Sequence, residues 1–162
     1  MEEKISKQLV DLLKGKGLKI ASAESLTGGM ISEIITGIPG ASEVIECGVC
    51  SYSNRIKHEL LGVSRETLDK YTEYSEQTAI EMAEGIKRIS KADIGISTTG
   101  IAGPGGGSDE KPVGLVYIGV AAKESMAYKF NFSENGKNDR NRIRELASVN
   151  AIRIAKDIAE LL

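Results

Sequence analysis

Segments with helical spacing of apolar residues alternate with short apolar runs along the whole chain, and that alternation leaves few folds open. Ile5, Leu9, Leu12 and Leu13 recur at helical spacing, and Gly15 and Gly17 stop that segment before an apolar run at 18–21. Thr27 precedes a short helix over 28–37, with Gly37 and Pro39 as stop signals. Residues 44–52 read as a strand, 54–61 and 65–71 as short helices parted by Gly62, and Ser75 as the opening of a longer helix burying Ile80, Met82, Ala83 and Ile86. A strand at 93–98 leads into a Gly-rich loop at 100–112. Strands at 114–122 and 126–132 then form a hairpin around Lys123-Glu124-Ser125, and 138–162 is a final helix. The order predicts a three-layer α/β/α fold around a mixed sheet.

Length and charge narrow the function classes. The 162 residues fit one domain, 1–162, without internal repeat or linker. A net charge of −2 lacks the basic excess expected for nucleic-acid or anionic-membrane partners. No apolar run approaches the ~20 residues needed to cross a bilayer, and the amphipathic first segment is no signal peptide, so a cytoplasmic location is expected. Two Cys and one His cannot build a four-ligand zinc site, and no metal is expected. Cys47 and Cys50 lie three apart on a strand and point to opposite faces, which favours packing over redox chemistry.

Three segments could carry chemistry. The loop Thr98-Thr99-Gly100-Ile101-Ala102-Gly103-Pro104-Gly105-Gly106-Gly107-Ser108 leaves a strand end, where open α/β sheets place ligands. It matches neither a Walker A loop nor a dinucleotide fingerprint, and a flexible surface loop is the plainer alternative. The turn Ala23-Glu24-Ser25-Leu26-Thr27-Gly28-Gly29 sets two hydroxyls before a helix N-terminus, either as caps or as a nucleophile beside an anion-attracting helix end. Lys57 would be a base for such a serine if desolvated, and otherwise a solvated helix residue. His58, the single histidine, points about 100° away from Lys57 and reads as a surface or capping residue. Lys137, Arg140, Arg142 and Arg144 crowd a helix start, where the dipole disfavours cations. Arg140 and Arg144 share a face and could grip one phosphate, or simply lie in solvent.

Taken in order, Ala23-Glu24-Ser25-Leu26-Thr27-Gly28-Gly29, Tyr52-Ser53-Asn54-Arg55-Ile56-Lys57, Thr99-Gly100-Ile101-Ala102-Gly103-Pro104 with Lys111-Pro112-Val113-Gly114, and Asp139-Arg140 with Ile143-Arg144 resemble the CinA carboxy-terminal domain family, the stand-alone nicotinamide mononucleotide deamidases. The resemblance spans essentially the whole chain. It implies a mixed, mostly parallel five-stranded sheet, a homodimer, and metal-independent hydrolysis of nicotinamide mononucleotide to nicotinate mononucleotide and ammonia in pyridine nucleotide salvage, with no cofactor. Carried residue by residue, it makes Ser25 the nucleophile, Lys57 its base partner, and Tyr52 and Thr99 polar groups of the same site. Thr27, Gly28, Gly29, Gly100, Ile101, Ala102 and Gly103 would form the cradle, with Arg140 and Arg144 on the phosphate. The stretch Ser133-Glu134-Asn135-Gly136-Lys137-Asn138 is longer than the family's usual run before Asp-Arg. Some members are fused to a molybdopterin-binding-like domain; from the length, only the amidase domain is expected here.

The expected chemistry is attack by Ser25 on the carboxamide carbon with neutral Lys57 as base, and an oxyanion held by N–H groups of 27–29 or Gly100. The competing reading is a non-catalytic pyridine-nucleotide-binding or regulatory module. A DNA-related role, raised by the family's association with competence and DNA damage, fits poorly with the charge and with only seven aromatic residues, five Tyr and two Phe.

Overall fold

In the computed structural model, which describes residues 2–133 and 139–162, strand β1 (Ile20–Glu24) lies between two parallel partners. These are β2 (Ile45–Cys50) at one sheet edge and the fully buried β3 (Ile94–Gly100). β3 pairs antiparallel with β4 (Leu115–Ala121), which pairs antiparallel with β5 (Ser125–Asn131) at the other edge. The order is therefore β2-β1-β3-β4-β5. Four strands run one way and β4 alone runs against them, as a hairpin appended to a parallel sheet requires.

Helices cover both faces. On one lie α1 (Glu2–Lys16), α2 (Met30–Thr36) and the long α6 (Arg140–Leu161), with Leu9, Leu13, Ile31, Ile35, Ala147, Ala151 and Ile152 packed on Ile20, Ile94, Ile96, Val116, Ile118 and Val120. Burial of this apolar face is what makes the seven-residue α2 viable, since so short a helix does not hold alone in water. On the other face lie α3 (Asn54–Leu61), α4 (Arg65–Tyr71) and α5 (Glu76–Ser90), whose Met82 and Ile86 join Leu61 and Val63 over Ala21 and Ala23.

The second face is built from small residues because α5 lies almost on the sheet. A Cβ on Gly95 would stand 2.2 Å from the Ala83 carbonyl, and one on Gly119 2.2 Å from the Ala79 carbonyl. Ser97 fits at the same depth by donating its hydroxyl to the Ala79 carbonyl at 2.6 Å.

The helix boundaries follow local chemistry. Ser53, Ser64 and Ser75 each accept a hydrogen bond at an N-cap, from the N–H of Ile56, Thr67 and Thr78. Helix α1 runs through Gly15, and it is Gly17, at φ +66°, that turns the chain into β1. Asp139 caps α6 through the Arg142 N–H, partly offsetting the cations there. The expected start of that helix at Asn138, and Lys137 with the rest of 134–138, lie outside the described residues.

Candidate active site

The carboxyl ends of β1, β2 and β3 lie side by side, and the backbone leaving β1 and β2 is tied to the neighbouring strand. The Ser25 N–H donates to the Thr98 carbonyl at 3.0 Å, and the Ser51 N–H, just past β2, donates to the Glu24 carbonyl at 2.8 Å. Three strand ends therefore converge on Ser25, the place where an open α/β sheet offers a ligand site.

Glu24 holds the turn that follows. Its fully buried carboxylate accepts hydrogen bonds from the hydroxyls of Ser22, Thr27 and Ser32 and from the N–H groups of Gly29, Ile31 and Ser32, at 2.8–3.2 Å. It thus serves as the cap of α2 from inside β1. Gly29, at φ +99°, provides the bend, and no side chain caps α2 from its N-cap position. Neither Ser25 nor Thr27 is the helix cap, contrary to the capping alternative. Thr27 is buried and committed to Glu24 and to the Thr98 hydroxyl.

The same bonds correct the expected oxyanion donors. The Gly29 N–H goes to Glu24 and the Gly28 N–H to the Ser25 carbonyl at 3.0 Å. Among the described residues, the turn's N–H groups without an acceptor are those of Leu26 and Thr27, and Leu26 lines the pocket directly after the serine.

Lys57 comes from α3 and is 1% exposed. Its Nζ donates to Ser25 Oγ at 3.1 Å, to the Ser51 carbonyl at 2.9 Å and to the Tyr52 carbonyl at 3.4 Å. Burial lowers its pKa to about 8, against a smaller opposing pull from the Glu73 carboxylate. A cation in this position without a contacting carboxylate is costly, and the neutral amine it favours is a base. His58 plays no part in the contact. Its Nδ1 meets the Val63 carbonyl at 2.8 Å and its Nε2 accepts from Arg65, a capping arrangement at the end of α3.

Ser25 and Lys57 form the floor of a pocket enclosing about 520 Å³ with its open mouth. Its walls are Leu26, Tyr52, Asn54, Glu73 and Tyr74, the loop residues Gly100, Ile101, Ala102, Gly103, Gly105 and Gly106, and Arg140. Arg140 reaches across from α6, donating to the Gly103 carbonyl at 2.7 Å and to the Tyr52 hydroxyl at 2.9 Å. Thr99 stands behind the wall, donating its hydroxyl to the Glu73 carbonyl at 2.6 Å.

Arg144 is placed differently from the phosphate grip expected of it. Its guanidinium donates to the Leu26 carbonyl at 2.9 Å, the Thr27 carbonyl at 3.1 Å and Asn141 Oδ1 at 3.2 Å. It braces the Ser25 turn from outside, while Arg140 faces the pocket. The two share a helix face yet bind different backbones.

Glu73, Tyr74 and Asn54 were not singled out by the sequence. Glu73 and Tyr74 sit in the connection between α4 and α5, held there by Lys111, whose Nζ donates to the carbonyls of Tyr71 and Tyr74 and to the Thr72 hydroxyl. An acidic and an aromatic residue just before the Ser75 cap are a weak signal, legible only once the loop is folded against them. Cys47 packs on the core of the second face as expected, but Cys50 is exposed on the edge strand. Among the described residues no group of three His, Cys, Asp or Glu is placed to hold a metal ion, and no helix is long and apolar enough to cross a membrane.

A family model described as the CinA C-terminal domain matches residues 2–159. A competence-damage inducible protein of Caldicellulosiruptor saccharolyticus is 50% identical over 149 residues, 91% of this chain and 35% of that protein. A CinA-like protein of a Thermotoga species is 44% identical over 151 residues, 93% of this chain and 36% of that protein. The chain thus spans about a third of the length of the curated relatives it matches. Among solved structures, the competence/damage inducible protein CihA from Agrobacterium tumefaciens superposes with a TM-score of 0.91 at 37% identity, covering 96% of this chain and 95% of that one. A competence or damage-inducible protein from Enterobacter asburiae gives 0.92 at 31% identity, covering 98% of both.

Proposed function

The chain belongs to the CinA C-terminal domain family, and from that premise we propose that it is a nicotinamide mononucleotide amidohydrolase working through Ser25 and Lys57. The observation that carries this reading is the 3.1 Å contact between Ser25 Oγ and a fully buried lysine amine at the floor of a pocket rimmed by Arg140. A serine with a desolvated lysine is a nucleophile with its base in hand, and a rim cation suits a substrate carrying a remote phosphate.

In this reading the carboxamide enters floor-first. Ser25 Oγ attacks its carbon as neutral Lys57 takes the hydroxyl proton, and the oxyanion rests on the Leu26 and Thr27 N–H groups. Lys57 returns the proton to the departing nitrogen, the C–N bond breaks, and ammonia leaves a Ser25 ester. Water then adds to the ester with its proton passing to Lys57, which gives it back to Ser25 Oγ as nicotinate mononucleotide is released. Arg140 holds the phosphate, so binding energy from the remote group positions the reacting one.

The test is ammonia release from nicotinamide mononucleotide in the presence of chelator, with nicotinamide and nicotinamide riboside as substrates lacking the phosphate. Turnover of the mononucleotide alone, abolished in Ser25→Ala without loss of fold, is the expected outcome. Binding of the mononucleotide without ammonia from wild type would instead identify a binding or regulatory module. Activity above a few per cent in Ser25→Ala would remove the serine as nucleophile.

A further inference from the structure

The pocket carries one charge of the wrong sign for the chemistry so far described. Lys57 suits a base and Arg140 a phosphate, yet Glu73 lines the same wall, half-buried, as the single carboxylate among the described pocket residues. Its backbone is fixed on both sides, by Thr99 on its own carbonyl and by Lys111 on those of Tyr71 and Tyr74. Beyond its pull on the Lys57 amine, the carboxylate itself has little to do. Among the described residues its one hydrogen bond is a long one, from Asn54 Nδ2 at 3.4 Å, and it forms no ion pair. A carboxylate held in place but not used by the fold is available to a ligand, and beside a phosphate site it repels unless that ligand also carries a positive centre.

The neighbours of Glu73 narrow what that centre is. Tyr52 and Tyr74 line the same pocket, and Tyr52 is 60% exposed although its hydroxyl is anchored by Arg140. Aromatic faces next to a carboxylate are what recognise a flat, weakly hydrated cation, through ring quadrupole and charge together. We propose that Glu73, with Tyr52 and Tyr74, is the specificity element by which this pocket selects a substrate with a flat cationic ring over its neutral counterpart. The inference rests on the deamidase reading and deepens it. Nicotinamide mononucleotide bears a positive pyridinium between its carboxamide and its phosphate, so the wall supplies the third charge of a three-point match: base at the floor, carboxylate at the ring, guanidinium at the rim.

The probe pair is nicotinamide mononucleotide and its dihydro form, which share carboxamide, ribose and phosphate and differ in ring charge. Binding to Ser25→Ala at pH 7, below the Lys57 pKa of about 8, read by calorimetry, is expected to favour the cationic form about fivefold, a magnitude typical of a partly solvated charge pair. Glu73→Gln in the same background should bring the ratio close to one by weakening the cationic ligand alone, and Tyr74→Leu should lower it part of the way. An unchanged ratio in Glu73→Gln, or equal weakening of both ligands, overturns the proposal. Wild-type ammonia release separates the two readings. Turnover with a ratio indifferent to Glu73 sinks only this inference, no turnover with a ratio that collapses in Glu73→Gln sinks only the deamidase reading, and failure of both nucleotides to bind sinks both.

Discussion

Lys57 can be titrated in two independent ways, and both should return the same pKa. With a pKa of about 8 in the folded protein, the amine is about one-tenth neutral at pH 7, against about one part in 3,000 at the ordinary value of 10.5. The kcat/KM for ammonia release should therefore rise about tenfold per pH unit up to roughly pH 8 and level off above it. Stability must move in step. The unfolded chain keeps this proton up to pH 10.5 and the folded chain loses it near 8, so the unfolded state binds more protons between those values and stability rises with pH across that window. The penalty of housing the charged amine is absent above pH 10.5, grows as pH falls, and is complete below 8, reaching about 3 kcal/mol. Lys57→Met removes that penalty but leaves the Ser51 and Tyr52 carbonyls without this donor, at about 1–2 kcal/mol. At pH 7 the inactive variant should be the more stable protein by about 1–2 kcal/mol, and the order should invert above pH 10. Urea denaturation of both proteins from pH 6 to 10.5, beside the rate profile, makes the comparison. Parallel stability curves, or a rate limb centred near 10.5, would refute the argument that burial has made this lysine a base.

Other outcomes follow from single contacts. Arg140→Ala should raise KM for the mononucleotide about tenfold with kcat little changed, in steady-state kinetics. Arg144→Ala should instead lower stability by about 2 kcal/mol and reduce kcat, because it releases the Leu26 and Thr27 carbonyls of the nucleophile turn; urea titration beside kinetics distinguishes the two arginines. Glu24→Gln should cost about 2–4 kcal/mol of stability in denaturant titration, since an amide presents its own NH2 to donors that need an acceptor. Glu73→Gln should move the rate limb to lower pH, because the Glu73 charge holds the Lys57 pKa up.

How much of this was legible beforehand divides along a physical line. The alternation of helix and strand, the serine cap at 75, and the hairpin around 123–125 depend on neighbours in sequence, and the chain states them openly. Ser25 and Lys57 stand out in the sequence as residues, but their contact spans 32 positions, and nothing in the spacing of α3 separates a buried lysine from a solvated one. The converse holds for Arg144. An arginine with an apparent phosphate partner at Arg140 turned out to satisfy backbone carbonyls, which no side-chain pattern advertises. Glu24 was hidden because capping is sought at the helix start, whereas this cap reaches back from inside a strand. Glu73 and Tyr74 belong to a connection whose position is set from outside by Thr99 and Lys111.

The commitment of Glu24 also divides the site into parts with different freedom to change. Strand β1 through Ser22, the turn through Thr27 and the start of α2 are bonded to one carboxylate, so the floor of the pocket around Ser25 is inherited as a block. The rim is assembled from the connection at 73–74, the glycine loop and the first residue of α6, none of which hydrogen-bonds to that carboxylate. Divergence among descendants of such a chain would then appear as new substrates for an old reaction: the cutting edge is kept while the handle that grips the molecule is exchanged.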